Sequence, residues 1–186
     1  MIPLNEKIRI LSRLMIDVIE NTNLHKAGIT NINQNQFMIL KILAATGPKK
    51  VREIAEYQDL SNAAVSKNID YLVAQKLVYR KIISTNRRAV SVGLLKKGQK
   101  LIAEYQTISE KNIKTILAAF SKEEKTHLGG LLDKYIARCI EMAEQLRVFC
   151  IQCGGKYEGD CPVGKQQQKC YFQMDTTESI PDFRNR

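Results

Sequence analysis

Long apolar runs are missing from this 186-residue chain. No uncharged stretch approaches the roughly 18 residues that suggest a membrane span. The N-terminal "MIPLNEKIRI" has no basic segment followed by an apolar block, so no secretory leader is expected. Also missing are an internal repeat, a phosphate-cradling glycine loop, a Ser-His-Asp set and a carboxylate pair. Enzyme activity is therefore not expected. The two histidines, His25 and His127, stand alone beside expected helix ends, where surface or capping roles fit better than ligation. These absences leave a soluble, cytoplasmic protein with one domain, or one domain and an appendage, and length enough for a proper core.

Charge is present, and it is unevenly placed. The chain carries a net +10. From Lys49 to Lys100 twelve bases oppose four acids, so this stretch holds +8 of the total, whereas five bases balance five acids from Val148 onward. A polyanionic partner is expected at the middle of the chain and not at its tail.

The apolar pattern supplies the elements. Leu4, Ile8, Leu11, Met15 and Val18 alternate four and three apart, an amphipathic helical stripe that Gly28 should stop. In "NQNQFMILKILAATG", Asn33 and Gln36 form a capping-box pattern, Phe37, Leu40, Ile42 and Leu43 supply a core face, and Gly47-Pro48 ends the helix. Two short helical patterns follow, "VREIAEYQ" and "NAAVSKNIDYLVAQ", with Ser61 placed to cap the second. The β-branched runs "VYRKII" and "AVSVGL" then flank "STNRR", a two-stranded ribbon with a basic tip. A long helix is expected from about Lys96, with Leu101, Tyr105 and Ile108 on one face. Another should begin at "SKEE", its stripe running through Leu128, Leu132, Tyr135, Cys139, Met142 and Leu146. Cys139 is expected to be a buried structural thiol on that stripe.

Helix, turn, helix and basic β-ribbon make a winged helix-turn-helix. Val51, Ile54 and Ala55 should pack the first short helix, and Ala63, Val65, Ile69 and Leu72 the second. Small residues at the start of the second helix, Ser61, Asn62, Ala63 and Ala64, let that end approach a major groove. Ser66, Lys67 and Asn68 then come within reach of base edges and phosphates. Arg87 and Arg88 at the wing tip suit a minor groove.

The stretches "NQNQFMILKIL", "VREIAEYQDLSNAAVSKNIDYLVAQKLVYRK", "NRRAVSVGLLKKGQKL" and "SKEEKTHLGGLLDKY" together resemble the multiple-antibiotic-resistance regulator (MarR) family, in order and spacing. Asn86 stands where the family wing usually carries aspartate, and Leu95 where a threonine is common. The resemblance implies a mainly α fold with a two-stranded wing and long N- and C-terminal dimerisation helices. It implies a homodimer on double-stranded DNA at a pseudo-palindromic site, a repressor by preference, and a small-molecule effector that no residue here specifies. The expected domains are 1–147, with the DNA-binding lobe at about 33–100, and a cysteine-rich extension at 148–186. The alternative is a winged-helix module that binds RNA or protein.

That extension holds Cys150, Cys153, Cys161 and Cys170, four of the five cysteines, as C-x2-C-x7-C-x8-C in a polar, glycine-containing segment. In a reducing compartment such a cluster points to a metal site more than to disulfides. A C-x-x-C pair lets two thiolates bind one ion or cluster. The wide spacing of the second pair departs from two zinc knuckles, and Cys161-Pro162 suits iron–sulfur ligation. An iron–sulfur cluster is therefore favoured, with structural zinc second and free or switching thiols third.

Overall fold

The computed structural model describes residues 2–83, 86–142 and 161–163, and gives the backbone alone for residues 83 and 86–89. By compactness the chain divides into two units, Met1–Ser121 and Lys122–Arg186.

In the first unit, α1 (Leu4–Arg13) runs into a π-helical segment (Leu14–Glu20) and then α2 (Asn21–Lys26). The sequence pattern predicts one α-helix here. Ile16, Val18 and Ile19 crowd the widened turns with β-branched side chains, which lose rotamer freedom in a tight α-helix. Asn21 Nδ2 also donates to the Asp17 carbonyl at 2.7 Å, a side-chain bond at the point where the π-helix gives way to α2. Gly28 performs the predicted stop. At φ +73° it lets its own N–H reach the His25 carbonyl and Ile29 N–H reach the Leu24 carbonyl, closing the orphan acceptors of α2.

Helix α3 (Gln34–Thr46) carries the predicted capping box. Asn33 Oδ1 accepts from Gln36 N–H at 2.9 Å, and Gln36 Oε1 accepts from Asn33 N–H at 3.0 Å. Phe37, Leu40, Ile42 and Leu43 are all buried, together with Ile39, and Gly47 ends the helix at φ +74°. Strand β1 (Lys49–Lys50) leads into α4 (Val51–Gln58), α5 (Asn62–Ala74), β2 (Val78–Ile83) and β3 (Asn86–Leu94). The wing strands β2 and β3 pair antiparallel as expected. The two-residue β1 joins the far edge of β3, an addition to the expected ribbon, giving sheet order β1-β3-β2. Helix α6 (Lys96–Leu117) completes the unit.

The core lies where α3, α4, α5, the sheet and the start of α6 meet. Ile39, Leu40, Ile54, Val65, Ile69, Leu72, Val78 and Val92 are wholly shielded from solvent. Each such side chain contributes about 1.5–3 kcal/mol relative to exposure. Leu101, Tyr105 and Ile108 of α6 pack against this cluster, as their shared face predicts. Ala63 does not. It lies two residues from Val65, on the opposite side of a helix with 3.6 residues per turn, and is exposed.

In the second unit, α7 (Lys122–Glu141) passes through Gly129 and Gly130 without interruption. Its expected apolar stripe is largely open to solvent: Leu132, Tyr135, Cys139 and Met142 are exposed, and Ile140 is the buried residue. The expectation of a buried Cys139 thiol is therefore corrected. Leu128 of the same stripe is half-buried, and Leu146 lies outside the described residues.

Candidate nucleic-acid interface

The two short helices that should meet DNA are joined by a turn whose geometry the sequence permits. Helix α4 ends at Asp59, which takes the left-handed conformation (φ 52°), a region aspartate tolerates better than most residues. Leu60 N–H then reaches back to the Ala55 carbonyl at 3.0 Å, tucking the chain under α4. Ser61 follows in extended conformation, and its Oγ accepts from Ala64 N–H at 3.2 Å, the predicted cap of α5. The cap fixes the end of the helix whose free N–H groups carry partial positive charge.

Along α5 the buried and outward faces separate cleanly. Val65, Ile69 and Leu72 point into the core, while Ser61, Asn62, Ala63 and Lys67 are exposed and Ala64, Ser66 and Asn68 are half-buried. The structure thus gathers Ser61, Asn62, Ala64, Ser66, Lys67 and Asn68 on one helix and its cap. From Ser61 to Asn68 there is no acidic side chain. Arg87 and Arg88 belong to β3, and their side chains lie outside the described residues.

Four side chains that the sequence reading did not single out as site residues hold α5 in place. Tyr71 donates its hydroxyl to the Asn31 carbonyl, before α3. Lys97 Nζ donates to the Gln75 carbonyl at 3.0 Å, satisfying an acceptor at the C-terminal end of α5. Arg80, on β2, pairs with Asp70 of α5 at 2.6 Å and donates to the Ser66 carbonyl at 3.0 Å. In the sequence these residues register only as charges or as a core aromatic. The available signal was strand alternation, since Arg80 lies two residues from the core-facing Val78 and so shares its side of the strand.

A second polar cluster lies between the N-terminal helices, α3 and α6. Tyr105 packs edge-on to Phe37 with ring centroids 4.7 Å apart, and its hydroxyl faces Glu20 at 3.4 Å. Lys41 approaches both Glu20, at 3.8 Å, and the Phe37 ring, at 5.7 Å. Burial first, then the charge and hydrogen bond of Glu20, raise the Tyr105 phenol well above its ordinary value.

Of the four tail cysteines, Cys150, Cys153 and Cys170 lie outside the described residues. Cys161 is half-buried with a free thiol, two residues before the buried Val163. Among the described residues no group of three or more His, Cys, Asp and Glu side chains is placed to hold a metal ion. Nor is any described helix long and apolar enough to cross a membrane.

Residues 32–90 match the sequence model of the MarR family. The HTH-type transcriptional regulator YpoP of Bacillus subtilis is 27% identical over 104 residues, covering 56% of this chain and 72% of that protein. Among solved structures, RV1404 of Mycobacterium tuberculosis superposes with a TM-score of 0.66 at 23% identity, covering 71% of this chain and 89% of that one. MepR, a regulator of the Staphylococcus aureus multidrug efflux pump MepA, gives 0.64 at 21% identity over 74% of this chain and 99% of its own. A MepR variant solved bound to an oligodeoxyribonucleotide gives 0.59 at 21% identity over 75% of this chain and 99% of its own. Residues 32–90 thus carry the MarR family's sequence pattern over the helix-turn-helix and the start of the second wing strand, and the chain shares the winged-helix fold of these solved regulators.

Proposed function

We propose that the protein acts as a homodimer that binds a pseudo-palindromic duplex and represses transcription. The observation that carries this reading is the outward surface of α5 from Ser61 to Asn68, capped, free of acids and bearing the exposed Lys67. Ser61, Asn62, Ala64, Ser66, Lys67 and Asn68 meet the major groove, and Arg87 and Arg88 reach the minor groove beside it. The net +8 between Lys49 and Lys100 supplies the phosphate attraction.

Dimerisation follows from apolar surface that one chain leaves open. Leu4, Leu11, Leu14, Ile16 and Val18 are exposed on the N-terminal helices, as are Ile113 and Ile116 on α6 and Phe120 just beyond it. On α7, Leu131, Leu132 and Tyr135 are exposed as well. Apolar stripes on this scale normally meet a partner. A small-molecule effector belongs to the same reading. Selection of bound duplexes from a random pool tests it: an enriched inverted repeat supports the regulator, and no enrichment supports the RNA- or protein-binding module. Sedimentation at micromolar concentration should show a dimer.

The tail is assigned a metal centre. Cys150, Cys153, Cys161 and Cys170 together hold an iron–sulfur cluster, in preference to zinc. "CGGKYEGDCPVGKQQQK" has too few apolar residues to fold by burial, whereas metal ligation supplies folding free energy of order 10 kcal/mol. An ordered tail directly after the last helix would make DNA affinity respond to redox state or iron supply. Anaerobic purification with assay of iron, sulfide and zinc decides the matter. Iron, sulfide and broad absorption near ~400 nm support the cluster. Stoichiometric zinc in a colourless sample sinks the cluster but keeps the four-thiolate site. Four freely alkylated thiols without metal sink both.

A further inference from the structure

Helix α5 carries one acidic side chain, Asp70, on an element proposed to face a polyanion. Asp70 is 62% exposed, so burial does not explain it. Its partner does. The Arg80 guanidinium spans one turn of α5, with Nη1 on Asp70 Oδ1 at 2.6 Å and Nη2 on the Ser66 carbonyl at 3.0 Å. Ser66 and Asp70 are four residues apart and share a helix face, so one planar fork grips both. The strand delivers that fork. Val78 is wholly buried, and alternation puts Arg80 on the same side of β2, against α5. Arg80 is opposite Val92 of β3 in the ladder, so the grip passes through the sheet to the second wing strand.

We infer that Arg80 is a positioning residue that locks the wing to the recognition helix, with Asp70 as its anchor. Recognition helix and wing are thereby presented to the duplex as one unit, with the major-groove and minor-groove contacts in fixed register. The inference rests on the DNA-binding reading above. Lys67, one residue beyond Ser66, is exposed on the segment so held. Bidentate base contacts demand such fixed geometry, whereas phosphate attraction does not. The lock therefore acts on discrimination between sequences more than on affinity for duplex in general.

The decisive variant is Asp70→Asn, because two explanations predict opposite signs. If Asp70 only adds negative charge beside DNA, its neutralisation tightens binding to every duplex and leaves discrimination unchanged. If it anchors Arg80, the ratio of selected-site to random-duplex affinity falls by about tenfold, the scale of one well-made base contact. Arg80→Ala should lower the same ratio. The double variant should resemble either single one, because both remove the same grip. A ratio that stays level or rises in Asp70→Asn, or losses that add in the double variant, overturns the inference. Both side chains are at the surface, so the fold should survive, and the near-isosteric Asp70→Asn decides the case even if Arg80→Ala does not fold. Amide hydrogen exchange in β2 of the DNA-free protein adds an independent reading. Faster exchange from Val78 to Ile83 in both single variants supports the lock, and unchanged exchange overturns it. If the parent selects no duplex, the DNA-binding reading fails, while exchange still decides whether Arg80 couples wing to helix.

Discussion

Asn112 of α6 donates its side-chain amide to the Asn23 side-chain carbonyl of α2, across 89 positions of sequence. Asn23 is 1% exposed, so little but this partner replaces the water it has lost. A buried polar group left unpaired costs about 1–3 kcal/mol. Asn112→Leu should lower the unfolding free energy by that amount, read as a lower urea midpoint with the slope unchanged. Replacing both residues by leucine should recover much of the loss. Equal loss in the single and double variants would show that the pair does not fix this junction.

Gly98 has a steric duty in the first turn of α6. A Cβ there would press on the Leu77 carbonyl oxygen, which also accepts from Leu95 N–H at 2.9 Å. Because the obstacle is backbone, it cannot rotate away. Overpacking of this kind costs about 1–3 kcal/mol, against a helix-propensity gain for alanine of roughly 1 kcal/mol. Gly98→Ala should therefore be net destabilising in thermal unfolding, whereas Gly129→Ala, with open space around it, should be stabilising or neutral.

Lys76 occupies the left-handed region at φ 58°, in the turn from α5 to β2. A residue with a Cβ pays roughly 1–2 kcal/mol there, and glycine escapes that strain while gaining unfolded-state entropy. Lys76→Gly should raise stability by about 0.5–1 kcal/mol. A lower melting temperature in that variant would mean that the lysine side chain contributes more than its strain costs.

Lys67→Ala and Ser66→Ala should weaken binding to a selected duplex about tenfold while the protein stays dimeric, as expected for side chains at base edges or phosphates. Arg88→Ala should lose affinity with a salt slope smaller by about one, the signature of a lost phosphate neutralisation. Binding isotherms at several salt concentrations read both. Parental affinity in both α5 variants would remove that helix as the reader, and an unchanged slope with unchanged affinity would remove the wing.

Tyr105 gives stability an alkaline dependence. Its folded-state phenol is held above the ordinary value of about 10 by burial and by Glu20. The folded state therefore keeps this proton more tightly than the unfolded chain does. That contribution is complete below the unfolded value and is lost as pH rises from there through the folded value. Tyr105→Phe should flatten the fall of stability above about pH 10, measured by denaturant unfolding. An identical alkaline slope in the two proteins would place the cause elsewhere.

Local physics is legible in the sequence. Asn33 with Gln36, Ser61 before α5, and Gly28 and Gly47 as helix ends each depend on a few adjacent residues, and each forms as its spacing predicts. Apolar periodicity likewise marked Phe37, Leu40, Ile54, Val65 and Ile69 as core, because one helix face must leave water. Periodicity alone did not say which surface would cover each stripe. Thus Cys139 and Ala63 came out exposed, and Leu14–Glu20 adopted π-helical turns within an α-type pattern. The grip of Arg80 on Ser66 and Asp70, the contact of Gly98 with Leu77, and the pairing of Asn23 with Asn112 required the tertiary structure. Each depends on the distance between elements that the chain brings together only when its core closes. The sequence by itself determined which faces seek burial and which helix ends are capped. Folding decided which charge meets which carbonyl, since a hydrogen bond depends on ångström-scale geometry that residue spacing does not encode.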